Sequence, residues 1–185
     1  MSQQHIKHQK ASRIIRRVNE IHTEGGLPKT GQYMSYVWGD DGYYQKGYPI
    51  GGGQRFIDNG DGTIIDTVTG LMWIKNPSEV GLGYPMYWYD AINACENLEF
   101  AGWDDWRLPN ISELMSIVDH SRYDPAWDTT YFPYPPDTWT PFWSSTSNAS
   151  WWDGAWALYA YDGYKTCWGK PWDMCYARPV RGGQS

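Results

Sequence analysis

The stretch FWSSTSNASWWDGAWALYAYDGYKTCWGKPWDMCYARPVRGG, residues 142–183, decides how this chain is read. It packs Trp143, Trp151, Trp152, Trp156, Trp168 and Trp172 together with Tyr159, Tyr161, Tyr164 and Tyr176 between Gly, Asp and Ser. One core cannot hide that many large rings. Tyr and Trp give broad contact area, a polar handle and few rotatable bonds, the properties that favour them at binding surfaces. Trp143 and Trp156 are assigned to the core, following the inward bias of apolar rings. Trp151, Trp152 and the run from Tyr159 to Tyr176 are assigned to a recognition face. Alternation through AWALYAYDGY sets Trp156, Leu158 and Ala160 on one side of a half-buried strand and Ala157, Tyr159 and Tyr161 on the other, with the tyrosine row outward. The face so defined comprises Trp151, Trp152, Asp153, Tyr159, Tyr161, Tyr164, Thr166, Trp168, Lys170, Trp172, Asp173 and Tyr176.

At 185 residues the chain supports one substantial core, so a single domain over residues 28–185 with a basic appendage over 1–27 is expected. The 20 Gly and 12 Pro, with 13 Trp, 15 Tyr and 4 Phe, point to short strands and many turns rather than a helical bundle. No apolar run approaches the roughly 20 residues of a membrane span. The N-terminal MSQQHIKHQKASRIIRRVNE lacks the apolar centre of a secretory signal, which implies synthesis in the cytoplasm, with display on a virion or cell surface still open. The acidic excess belongs to the globular part, so a nucleic-acid partner, which needs a basic surface, is not expected. Ile14, Val18 and Ile21 form a narrow apolar stripe at helical spacing. Two readings stay open there: a solvated tail, or a helix that docks or drives homo-oligomerisation.

Arg55–Asp58, Asn59-Gly60-Asp61-Gly62 and Thr63–Asp66 read as strand, turn, strand, because Asn-Gly and Asp-Gly supply the positive φ of a tight hairpin. A calcium loop is disfavoured, since Gly60 and Gly62 fall on positions that need oxygen ligands. Leu71–Ile74 is apolar enough for the middle of a sheet. A helix follows over residues 88–98 with Ala91, Ile92, Cys95 and Leu98 on one side, and a second from Asn110, whose N-cap and Glu113 form a capping box ahead of Ile111, Leu114, Met115 and Val118. Between them Arg107, among Asp104, Asp105, Trp103 and Trp106, is expected to pair with a carboxylate and stack on a ring. Five prolines rule out helix and central strand from Ser121 to Pro141, and that loop is placed beside the recognition face. Cys95 reads as a small buried hydrophobe. Whether Cys167 and Cys175 form a bridge depends on a Cα separation that sequence does not fix.

The order of pieces RFIDNGDGTIIDTVTGLMW, AINACENL, DWRLPNISELMSIVD, FWSSTS and ARPVRGG, with the lead-in GDDGYYQKG, resembles the Lcl C-terminal domain family over roughly residues 28–184. The resemblance implies an α+β chain with a C-type lectin fold: two helices around a small, twisted, mostly antiparallel sheet, rich in loops. It further implies a non-enzymatic receptor-binding or display protein, of the kind diversified by retroelements over a variable segment (here 143–181) or carried at phage tail-fibre tips. By position, Trp143, Ser144, Ser145, Arg178 and Val180 match the framework of such segments. Ser147–Asp153 and Tyr159–Tyr176 occupy the places where ligand-contacting variation falls. The implied partner is a protein or carbohydrate. A fixed-specificity glycan-binding adhesin or tail-fibre subunit is the alternative, and an oligomer contact through the aromatic face is a third. The acid of calcium-binding lectin triplets is missing from Leu108-Pro109-Asn110, so calcium-dependent sugar binding is not expected. Formylglycine-generating oxidases share the wider fold and use a cysteine pair, which makes such an enzyme a remote alternative. No catalytic residue, metal ligand or cofactor is assigned.

Overall fold

The computed structural model describes residues 26–49, 55–133 and 137–183. The appendage and its apolar stripe therefore lie outside the described residues. Strands β1 (Phe56–Asp58), β2 (Thr63–Asp66) and β3 (Leu71–Ile74) form an antiparallel meander, and β7 (Val180–Gly182) joins the far side of β3. A second antiparallel sheet holds β4 (Phe142–Asn148), β5 (Trp151–Leu158) and β6 (Lys165–Gly169) in that order. Helices are few: α1 (Asp41–Tyr44), α2 (Trp88–Glu96) and α3 (Ile111–Ser116). The chain is thus α+β, with two sheets where one was expected. Among the described residues, no helix is long and apolar enough to cross a membrane.

The first hairpin forms as its turn residues require, with Phe56 opposite Asp66 and φ of +71° at Gly60 and +88° at Gly62. Its carboxylates serve the turn itself. Asp58 accepts from Gly60 N and Lys75 Nζ, and Asp61 accepts from Thr63 N and Oγ1. Strands β2 and β3 are buried on both sides, Ile64, Leu71 and Trp73 facing one cluster and Ile65, Met72 and Ile74 another. The capping box of α3 is complete, with Glu113 N donating to Asn110 Oδ1 at 2.9 Å and Asn110 N to Glu113 Oε2 at 2.8 Å. Leu114, Ile117 and Val118 then pack against Phe56, Trp127 and Phe132. On the other side α2 seats Ala91 and Cys95 against Trp143, Ala155 and Ala157 of the second sheet.

Two buried arginines tie these layers together. Arg55 donates from Nε and Nη2 to Asp66 at 3.0 and 2.7 Å, and from Nη2 to Ser116 O at the end of α3. Arg178 donates from Nη1 to Ile74 O and Lys75 O, with its guanidinium within 6 Å of the Trp127, Phe132 and Phe142 rings. Arg107 does pair with a carboxylate, but that carboxylate is Glu113, at 2.6 and 2.8 Å. The ring stacking expected of it belongs to Arg181, which lies 3.6 Å from the Trp103 centroid while gripping Asp105 with two hydrogen bonds. The Pro-rich loop is only partly a surface element, because Ala126, Trp127 and Phe132 are core.

Asp66→Asn would leave the Arg55 cation buried without its counter-charge, and unpairing a buried ion pair costs about 3–5 kcal/mol. Urea unfolding should show a loss of that size for Asp66→Asn and a smaller one for the apolar double variant Arg55→Met/Asp66→Leu. A loss below about 1 kcal/mol in the single variant would mean the pair is not what fastens the meander to α3.

Candidate binding face

The sidedness of the second sheet follows from its register. Gly154 pairs with Gly169, Ala155 with Trp168, Trp156 with Cys167 and Leu158 with Lys165. Ala155 and Ala157 are fully buried beside Trp143 and Cys95, and Trp168 packs on that same cluster, so this side is inward. Trp156 therefore points outward, half-buried, with Lys165 Nζ 5.3 Å from its ring centroid. This reverses the expected orientation, in which Trp156 was core and the tyrosine row faced solvent. In a strand a shift of one residue exchanges the two faces. Tyr159, just past the end of β5, lies on the core side with its ring 6.3 Å from Trp168 of the edge strand β6, and burial raises its phenol pKa.

Beyond Trp156 the outward side is covered. The loop Ser121–Pro141 closes over it, Ala126 N donating to Ala160 O and Tyr161 N to Thr138 O, so Leu158 and Ala160 are buried. At the rim of that cover Tyr161 stacks on Trp139 at 4.4 Å and meets Tyr123 edge-on at 6.3 Å. Trp139 and Tyr123 are both exposed. The loop thus lies beside the sheet and contributes rings to its surface.

The open part of the sheet is built on two facing glycines. A Cβ at Gly154 would fall 2.5 Å from Trp151 Cε3 and 2.6 Å from Cys167 Sγ. One at Gly169 would fall 2.7 Å from Trp172 Cε3 and 3.4 Å from Trp151 Cη2. The Trp151 indole therefore spans from Gly154 to Gly169 in a trough that only glycines leave open, and Trp172 also lies over Gly169. Trp172 is placed by a tight turn in which Asp173 Oδ2 accepts from Gly169 N at 2.6 Å. Trp151 is 40% exposed, Trp172 64% and Trp152 79%. The outward row runs Trp172, Trp151, Cys167, Trp156, Lys165.

Besides Tyr159 and Trp168, which lie on the core side, two more residues assigned to the face do not reach it. Tyr176 is 5% exposed and packs on Phe142, because residues 175–180 run between the two sheets. Lys170 is 6% exposed. Its ammonium donates to Ser147 Oγ at 2.7 Å and Trp152 O at 3.0 Å and sits 4.5 Å from the Trp88 centroid, so it fastens the ends of β4 and β5 from beneath. Asp153, Thr166 and Asp173 are half-buried, and Tyr164 is exposed on the β5–β6 turn. Sequence reasoning missed Tyr84, Tyr87 and Tyr89. All three are exposed, and the pairing of Met86 with Cys175 brings their segment alongside Lys170–Cys175. The run YPMYWYD was itself a signal, obscured because its second half begins a helix.

The cysteines are free and lie on different sides. Cys167 faces outward under Trp151, whereas Cys175 is wholly buried, its thiol pushed up by burial and then by the Asp173 charge. Cys95 is likewise buried, its thiol pushed up to about 12.

Iodoacetamide on the folded protein should therefore alkylate Cys167 first, faster still in Trp151→Ala, and leave Cys95 and Cys175 until denaturant is added. Peptide mapping by mass spectrometry reads this directly. Equal rates at Cys167 and Cys175 would overturn the sidedness of the sheet. With this geometry in place, the family model described as the Lcl C-terminal domain matches residues 62–181. No curated protein matches the chain.

Proposed function

The chain belongs to the Lcl C-terminal domain family, and from that premise we propose that it is a non-enzymatic binding module that presents an aromatic face to a protein or glycan ligand. The scaffold on this reading is a C-type lectin fold. The observation that carries the proposal is the indole pair Trp151 and Trp172, held exposed over Gly154 and Gly169, Trp151 at the start of β5 and Trp172 on the tight turn that follows β6. Rings fixed in this way lose little conformational freedom when a ligand arrives, so more of the contact energy appears as affinity. Trp152, Tyr164, and the Tyr161, Trp139 and Tyr123 rim extend the same surface, with Tyr84, Tyr87 and Tyr89 as a border outside residues 143–181. The deeply buried Lys170 and Tyr176 act as supports of that face.

Retroelement diversification of residues 143–181 fits the division between framework and face. Trp143, Ser144 and Arg178 are buried, while Trp151, Trp152, Tyr164 and Trp172 between them are open to solvent. Display on a virion or cell surface is the setting in which such a face is useful. A fixed-specificity adhesin or tail-fibre subunit would use the same face unchanged. The oxidase reading draws no support from the cysteines, which stand on opposite sides of the sheet with Cys175 closed to solvent.

The test is binding to an array of immobilised glycans and to a panel of purified cell-surface proteins, comparing the natural chain with Trp151→Ala and Trp172→Ala. Each substitution should weaken capture by about 2 kcal/mol, roughly 30-fold, as interface anchors do, with the thermal midpoint nearly unchanged. Undiminished binding in the double variant would end this assignment. A near-copy of the DNA for residues 143–181 beside a reverse-transcriptase gene, differing at template adenines, would establish diversification; its absence would leave the fixed-specificity module.

A further inference from the structure

A second apolar surface belongs to the segment that precedes β1. Residues Leu27–Tyr48 form a closed loop, pinned where Lys29 N donates to Tyr48 O at 2.6 Å and Tyr48 N to Leu27 O at 3.0 Å. Its interior is organised by one side chain. The Asp40 carboxylate accepts from Tyr36 N at 2.7 Å and Tyr43 N at 2.8 Å, capping α1. Gly42 is pressed so closely on Met34 O that a Cβ there would lie 2.2 Å from it. The loop is thus shaped by its own backbone and held to the domain by contacts such as His120 N donating to Thr30 O at 2.7 Å.

What it presents to solvent is unusual for a polar connector. Of the eighteen exposed large hydrophobic side chains among the described residues, eight fall between Leu27 and Tyr44. Tyr36, Val37 and Trp38 are 80%, 67% and 77% exposed. Trp38, Tyr43 and Tyr44 are in ring contact, so the surface is continuous there. Apolar patches of this kind mark interaction surfaces.

The occupant is indicated by the rest of the sequence. The polypeptide immediately before the loop carries Ile14, Val18 and Ile21, an apolar stripe at helical spacing. Ile21 precedes Leu27 by six residues, so its backbone stays within about 20 Å of the loop, at the high effective concentration of a tethered ligand. Charge draws that segment to its own domain as a whole, the loop itself being neutral with Lys29 and Lys46 against Asp40 and Asp41. Residues 1–25 hold five of the 15 Lys and Arg but two of the 21 Asp and Glu, so a basic segment meets an acidic domain. We propose that the segment Ile14–Ile21 covers the loop of its own chain, seating its aliphatic stripe on the surface around Tyr36, Val37 and Trp38. The loop then serves as the dock of the basic segment, and the ligand-binding sheet is left free.

Hydroxyl-radical footprinting of the full chain reads side-chain exposure at Tyr36 and Trp38. Oxidation there should rise several-fold in Ile14→Asp/Val18→Asp/Ile21→Asp, with light scattering unchanged and Met72 in the core still protected. Trp38→Ser should in turn raise oxidation at Ile14 and Ile21, and this arm decides if the triple variant loses core protection. Identical footprints in natural and variant chains would overturn the proposal. So would protection that disappears on dilution together with a fall in mass, which would assign the surface to a second copy of the chain. Loss of glycan or protein capture on the array, by contrast, reports on the sheet and not on this dock.

Discussion

One buried cation holds the two sheets in register. Arg178 reaches from the strand-like segment at 175–180 to the carbonyls of Ile74 and Lys75 at the end of β3, with rings of the Pro-rich loop and of β4 around it. Taking a guanidinium out of water costs several kcal/mol, and the carbonyls and aromatic faces offset that cost only when all are in place. The residue therefore acts as a geometric check on the fold. The meander, the loop core at Trp127 and Phe132, and the start of β4 must all be assembled before it can be satisfied. Tyr176 and Val180, its near neighbours, complete the seam by pairing with Phe142 and with Trp73 and Arg107.

Because this seam lies under the second sheet, the outward row of rings is not needed to hold the molecule together. Among the described residues, three of the four fully buried indoles have their N–H groups met by backbone: Trp143 donates to Met86 O at 2.8 Å, Trp127 to Phe132 O at 3.1 Å and Trp106 to Phe100 O at 3.3 Å, whereas the Trp73 N–H in β3 is buried without a partner. Those of Trp151 and Trp172 lie on rings open to water. A residue type that is costly to bury without a partner is thus met by a backbone acceptor at three of its four fully buried positions and set at the surface in the outward row. The framework and the face use the same side chain for different physical ends.

Much of this was legible in the sequence. The hairpin at Asn59–Gly62 and the capping box at Asn110–Glu113 are local chemistry, and both formed where the residues required. The crowding of aromatics after Phe142 also marked the right region. The orientation of β5 was not legible, because Ala155 and Ala157 carry no strong preference and Trp156 reads as core by size alone. What turns it outward is the meeting of Gly154 with Gly169 across the strands, a pairing 15 positions apart that no periodicity reveals. Arg107 found its carboxylate in Glu113 but not the expected ring for a similar reason, since β7 brings Arg181 onto Trp103 from the far end of the chain. Lys170 looked like a surface contact because lysine usually is one; only the fold shows Trp88 above it and Ser147 beside it.

The facing glycines also limit what this surface can become. Side chains around them can be exchanged for others of different size and charge, and the outline offered to a ligand changes accordingly. At Gly154 and Gly169 even one added methyl group meets an indole, so the rings lift and the floor is lost. On its outer side the sheet is therefore a mould with two fixed points: the exposed positions around Gly154 and Gly169 leave room for other side chains, and those two do not.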